Sequence, residues 1–285
     1  MRSDRLEPVW RSALAVAGLF ASVFTVLFVS LIPGMSTEVF YLVAGAGVTA
    51  CAVGLAWCVQ RVVEGDSWSA LGLNVSRGSA VRMLRGAAAG FAVVVVADVV
   101  CVLSGAAEWD PDASLANVPA WLTVIIPSVL LVQAVPEELW FRGYLFRHLR
   151  LSLPLGATVV ITSVLFGALH LISSGATGSA AEKPFHVLQA VAFGFALAAC
   201  RIVTGELWLA IGFHAGYGVL NERLITAGEG LAAVELFCLA ATLAAAGVLF
   251  LRRRHRRTPL DWRARPAASM EPAPAEERPL AHSGI

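Results

Sequence analysis

Along the chain, apolar positions neither alternate nor keep to one helical face; they run on for about 20 residues at a time, the length that crosses a hydrocarbon core about 30 Å thick. Four stretches are nearly uninterrupted: Ser12 to Ile32, Val39 to Val59, Leu84 to Ser104 and Leu231 to Leu251. Four more are broken by polar residues: Trp121 to about Leu149, Leu155 to about Ile172, Phe185 to Val203 and Leu207 to about Leu224. This pattern predicts an all-α, polytopic transmembrane helical bundle of about eight spans, with the chemistry in the interrupted ones. The first stretch is about twice as long as a signal-peptide core and ends in Pro33-Gly34 without a small-residue cleavage pattern, so it is expected to be retained.

Composition agrees with a bilayer environment. Hydrophobic residues make up 58% of the 285 and charged ones 14%, where a soluble chain carries about 25% charged residues. Mean hydropathy is +0.73. A net charge of +1 supplies no bulk attraction to nucleic acid, and no nucleic-acid partner is expected. Cys51, Cys58, Cys101, Cys200 and Cys238 all fall in apolar stretches without CxxC spacing, which fits single buried thiols and not a disulfide or zinc framework. One lysine against twenty arginines, with abundant Ala, Val and Gly, suggests a GC-rich bacterial genome and therefore a multi-pass protein of the bacterial inner membrane.

Basic residues accumulate on the cytoplasmic side of membrane proteins. With both termini cytoplasmic, the inner segments hold Arg2, Arg5, Arg11, Arg61, Arg77, Arg82, Arg85, Arg147, Arg150, Arg201 and the run Arg252 to Arg257; the outer segments hold only Lys183 and Arg223. The chain accordingly divides into a transmembrane domain over residues 1–251 and a basic, then disordered, cytoplasmic tail over residues 252–285. The head of that tail is expected to anchor the last helix on anionic lipid of the bilayer. Small-residue pairs, Gly86 with Gly90 and Gly212 with Gly216, predict close helix contacts.

The most informative segment is Val135-Pro136-Glu137-Glu138-Leu139-Trp140-Phe141-Arg142-Gly143. An acid or an arginine at the centre of a membrane helix costs about 2.5–3.5 kcal/mol on insertion scales, so three together need partners or a purpose. Glu138 and Arg142 are i and i+4 and can pair on one face. Glu137 is rotated about 100° away and lacks this partner. Pro136 removes a backbone donor and is expected to strand the carbonyl of Val132, to be satisfied by water or protein in a hydrated pocket. The plainer reading is a helix-to-loop boundary, since Arg147 and Arg150 follow.

Two histidines, His170 and His214, stand out among six as lying squarely in apolar spans. Interhelical hydrogen bonding is the ordinary role of one such residue. Counted at about 1.5 Å per residue, Glu137 and His170 fall at one depth, with His214 roughly 10 Å nearer the inner surface. A carboxylate with two imidazoles suits hydrolysis, the acid accepting a proton from water and the imidazoles polarising a carbonyl or holding an oxyanion. No Gly-x-Ser-x-Gly, His-Glu-x-x-His or phosphate-loop pattern occurs. Asp98, Gln133 and Gln189 read as helix contacts.

At these residues the chain resembles the CPBP family, the type II CAAX protease and bacteriocin-processing (Abi) intramembrane peptidases. Glu137, Glu138 and Arg142 match its EExxxR motif, Phe166 and His170 its FxxxH motif, and His214 the start of its third; Trp68 to Leu73 looks like its interhelical loop. The resemblance implies a peptidase-like core over about residues 67–225 and a peptide or membrane-protein substrate, with roles in peptide maturation or bacteriocin immunity. It implies that Glu137 and His170 activate water, that His214 stabilises the oxyanion and that Glu138 with Arg142 holds the pocket together. Gly218 stands where the family has Asn or Asp, and Asn221, one turn further on, is the candidate replacement. The family is commonly called a metallopeptidase group, which makes zinc a candidate cofactor with His170, His214 and Glu137 as ligands; a metal-free glutamate mechanism uses the same residues. A proton-coupled transporter relaying through Asp98, Glu137 and the histidines, and an inactive membrane scaffold of the same family, are the competing functions.

Overall fold

The computed structural model describes residues 7–109, 121–172, 180–220, 225–227 and 231–263. The first apolar stretch folds as α1 (Glu7–Val23) and α2 (Thr25–Ser30), the second as α3 (Thr37–Cys58) with a π-helical turn at Val59–Val63, and the third as α4 (Ser79–Leu103). The fourth, α5 (Thr123–Ser152), alternates between π and α winding. Then come α6 (Leu155–Leu169), α7 (Lys183–Thr204), α8 (Trp208–Leu220) and α9 (Ala232–Arg257). A short antiparallel ribbon of β1 (Ala107–Trp109) and β2 (Ile225–Ala227) joins the ends of α4 and α8.

The described parts of all eight stretches are mainly helical, and the chain is a multi-pass membrane protein. Six described helices are long and apolar enough to span a bilayer. The other two, α6 with 15 residues and α8 with 13, fall short: at 1.5 Å per residue they reach only about 20 Å. These two carry His170 and His214.

The glycine pairs explain how α8 is held. A Cβ on Gly86 or Gly90 would collide with the carbonyls of Leu209 or Phe213, and one on Gly212 or Gly216 with those of Met83 or Ala87. The two pairs therefore face each other, and the backbones of α4 and α8 touch. Close approach of small residues is what associates helices in lipid, where apolar burial alone supplies little drive.

One end of the bundle is tied together by its connections. Arg82 pairs with Glu206 at 2.7 Å, Arg147 with Asp66, and Leu207 N–H donates to Gly72 O at 2.9 Å. Gly72 has φ 84°, a left-handed conformation that favours glycine, and lies under the Arg201 guanidinium, which an added Cβ would displace. α9 runs on past residue 252, through the arginines to Arg257, and Gly156 N–H donates to Trp262 O at 3.1 Å. Arginine is a good helix former and suits a helix C-terminus, so the basic run prolongs the helix. Residues 264–285, where disorder is expected, lie outside the described residues.

Candidate active site

α5 is wound for its task. Its stretch Ser128–Ala134 is π-helical, and Val135 N–H bonds back five residues to Leu130 O. In that register the carbonyl that Pro136 cannot serve is Leu131 O, not the Val132 O expected from α winding. It is satisfied by Thr49 of α3, whose hydroxyl donates to it at 2.6 Å, so of the two expected donors, water or protein, a neighbouring helix supplies it. Val135–Glu138 returns to α winding and Leu139–Leu145 to π. Such insertions concentrate at functional sites because they re-aim side chains within a helix.

The i, i+4 pair forms as its spacing predicts. Arg142 Nη1 donates to Glu138 Oε1 at 3.1 Å, with both side chains fully buried, and Nη2 donates to Gly194 O at 3.1 Å. The guanidinium lies 4.4 Å from the Phe166 ring centre, a cation–π contact in a dry setting. Glu138 Oε1 also meets His214 Nδ1 at 3.1 Å. Since the carboxylate only accepts, Nδ1 carries the proton and Nε2 is directed elsewhere. It is 3.9 Å from Glu137 Oε2. Glu137 makes no hydrogen bond to a described residue, and its side chain is 23% exposed against 0% for Glu138.

His170 ends α6. Its Nδ1 is 3.0 Å from Phe166 O, a carbonyl that can only accept, which fixes the neutral tautomer with Nε2 as the acceptor. Glu137, His170 and His214 all line one cavity of about 530 Å³, within the size range of small-molecule and peptide sites. The helices thus bring the predicted carboxylate and both imidazoles together. The offset of His214 by depth counting does not separate it from the other two, since all three line the same cavity.

Several lining residues escape the sequence reading. His186, at the start of α7, lines the cavity with its ring 5.5 Å from that of His170. The expectation that only His170 and His214 lie in apolar spans is therefore too narrow: His186 and buried His148 belong to helices whose ends outrun their apolar centres. Gln133 and Gln189, taken for helix contacts, also line the cavity, and Gln189 Nε2 donates to the Tyr217 hydroxyl at 2.5 Å. Asp98 is buried in α4 away from this lining. At Gly218 an added Cβ would sit 2.7 Å from Val129 Cγ1, so Val129 fills the space where an Asn or Asp would stand. Asn221 lies outside the described residues.

Among the described residues no three His, Cys, Asp or Glu side chains gather as a metal-ligand set. Glu138 and His214 Nδ1 are engaged with each other, and His170 Nδ1 with a carbonyl. Such Nδ1 contacts are also the ones that orient metal-binding imidazoles through their Nε2 atoms, but the described residues do not close a three-ligand set, and no step below passes through a metal.

Residues 119–220 match the family model described as type II CAAX prenyl endopeptidase Rce1-like. No curated protein matches the chain. The match runs from the start of α5 to the end of α8 and contains Glu137, Glu138, Arg142, His170 and His214, so this part of the molecule is similar to the Rce1-like domain, whose family is generally one of proteases.

Proposed function

We propose that this Rce1-like domain is the core of an intramembrane endopeptidase that hydrolyses a membrane-proximal peptide bond with water activated by Glu137. The observation that carries the reading is the 3.9 Å gap between Glu137 Oε2 and His214 Nε2 on the cavity wall. It is too long for a direct hydrogen bond, and a water in the cavity can contact both atoms. Glu137, with His170 Nε2 beside the same cavity, takes a proton from that water as its oxygen bonds to the carbonyl carbon. His214, when it carries both protons, donates from Nε2 to the oxyanion while Nδ1 stays on Glu138. Glu137 then passes its proton to the departing amine as the C–N bond breaks. Arg142 balances Glu138 and so fixes the imidazole in place.

The arginine distribution supports cytoplasmic termini, and the composition supports a bacterial inner-membrane setting. A role in peptide maturation or bacteriocin immunity is the biological setting. A transporter reading is disfavoured by the position of Asp98, which does not line the cavity and so offers no relay continuous with Glu137.

The test compares peptide termini in membrane and secreted fractions from cells carrying the wild-type protein, Glu137→Gln or His170→Ala. Specific termini lost in both variants support proteolysis, and their persistence after chelation supports a mechanism without metal. Unchanged termini with altered solute uptake would replace the peptidase by a transporter.

A further inference from the structure

Glu137 lies near the middle of the α5 span Thr123–Ser152, so its position alone favours neither membrane face. The walls around it are not symmetric. Toward one end the cavity is lined by Tyr41, Val124, His170 and His186, each within about one turn of the end of α3, α5, α6 or α7. Toward the other end the chain is packed shut. Leu139, Phe141, Leu145 and Leu149 of α5 are fully buried, as are Leu71 from the loop between α3 and α4 and Leu207 from the turn before α8. That loop is pinned by Leu207 N–H to Gly72 O, and by Gln60 Nε2 donating to Ser67 O at 3.2 Å.

The closed end is the arginine-bearing one. Arg61, Arg82, Arg147, Arg150, Arg201 and the run from Arg252 belong to it, whereas Lys183 is the one basic residue described at the other end. Positive charge marks the cytoplasmic face, so the end toward which the described cavity walls extend is the one away from the cytoplasm. No lysine or arginine is among the described residues lining it, so none of these offers a fixed cation to a terminal carboxylate; Glu137 is the one acid among them. About 530 Å³ admits a few residues of extended chain, not a folded domain.

Resting on the peptidase reading above, we infer that the substrate is an extended internal segment of an exported or outward-facing polypeptide, reached from the extracytoplasmic side. A cytoplasmic C-terminal tail with a free carboxylate does not meet these conditions.

The experiment supplies an internally quenched peptide library, acetylated and amidated at its ends, to right-side-out spheroplasts and to sealed inverted vesicles. Each carries the wild-type protein or Glu137→Gln, and Lys183→Cys and Arg77→Cys variants report orientation through a membrane-impermeant maleimide. The inference expects Glu137-dependent cleavage in spheroplasts and its loss in sealed inverted vesicles, with recovery when detergent opens them. It also expects Lys183→Cys to be labelled in spheroplasts and Arg77→Cys only in inverted vesicles. Cleavage confined to inverted vesicles, or the opposite labelling, would overturn the access side and leave the peptidase standing. Absence of Glu137-dependent cleavage even in detergent would overturn the peptidase itself.

Discussion

Glu64 and Glu137 are both carboxylates set beside histidine and arginine inside an apolar bundle, and the chain treats them differently. Glu64 is saturated: Oε2 accepts from Arg11 at 3.1 Å, Oε1 accepts from the Tyr144 hydroxyl at 2.6 Å, and His148 Nδ1 lies 3.7 Å away. His148 in turn meets Gln60 at 3.2 Å. No member of this cluster lines the 530 Å³ cavity. At the other cluster the same ingredients are divided between two acids. Glu138 takes the arginine and the histidine proton, and Glu137 is left facing the cavity beside the second imidazole nitrogen. A buried charge marks a reactive position only when a neighbour has already taken the partners that would neutralise it. The Glu64 cluster ties α1, α3 and α5 together at the arginine-bearing end; the Glu137 cluster keeps one carboxylate uncommitted.

The sharpest way to break this contrast is a paired substitution. Glu137→Gln is expected to lower turnover by about 10²–10⁴-fold, the worth of a general base, with thermal stability unchanged. Glu64→Gln should do the reverse, leaving turnover within a few-fold and lowering stability by about 1–3 kcal/mol, as buried donors lose an ionised acceptor. Peptide cleavage and thermal denaturation of both variants in one detergent check it. Loss of turnover at Glu64→Gln comparable to Glu137→Gln would erase the division.

Next in size is the arginine. Arg142→Met strands Glu138, whose Oε2 already lacks a partner, in a fully buried site. Removing one member of a buried pair costs about 3–5 kcal/mol, whereas replacing both members by apolar residues is often neutral. Arg142→Met should therefore be strongly destabilised, and Arg142→Met with Glu138→Leu should recover much of the loss in thermal denaturation without recovering turnover. Recovery of both would mean that Glu138 does not position His214.

The two clusters also differ in how much of each can be read from the sequence. Glu138 and Arg142 are local, so helical spacing alone pairs them, and apolar length alone finds the helices. The glycine pairs of α4 and α8 were legible for the same reason. Contacts between distant positions were not: Glu64 with Tyr144, Gln60 with His148, and Thr49 with Leu131 O join residues about 80 or more apart in the chain. π winding shifts the stranded carbonyl from Val132 to Leu131, and hydropathy does not report winding. Hydropathy also undercounts helix ends, which hid His186, and cannot tell a spanning helix from the short α6 and α8. The Gly218 departure is read correctly as a missing polar group, but that Val129 occupies the space is a fact of packing.

A smaller effect separates the histidines of the two clusters from each other. His148→Phe removes the bond to Gln60 and should cost about 1–2 kcal/mol, with turnover nearly unchanged. His214→Phe should abolish the donor at Nε2 and lower turnover by about 10²-fold or more. Cleavage rates and denaturation midpoints of the two variants distinguish them, and equal effects on turnover would place His148 in the reaction.

The smallest effect lies at the rim of the Glu64 cluster, where Asp66 accepts from Arg147. Partial burial pushes the Asp66 carboxyl up, but the Arg147 guanidinium and the Ser67 amide outweigh it and hold the group below its ordinary value of 3.8. A carboxylate whose folded-state value is depressed contributes stability above its unfolded value and loses it as pH falls through the folded one. The pair is partly exposed, with side chains 28% and 30% accessible, so its worth is about 0.2–1 kcal/mol after screening by solvent and salt. The stability difference between wild type and Asp66→Asn should therefore be small and flat from neutral pH down to about 4, and should shrink below that as Asp66 protonates. A difference that grew on acidification would mean that the Arg147 contact is not what holds this end of the bundle, and that Glu64 bears the whole of that role.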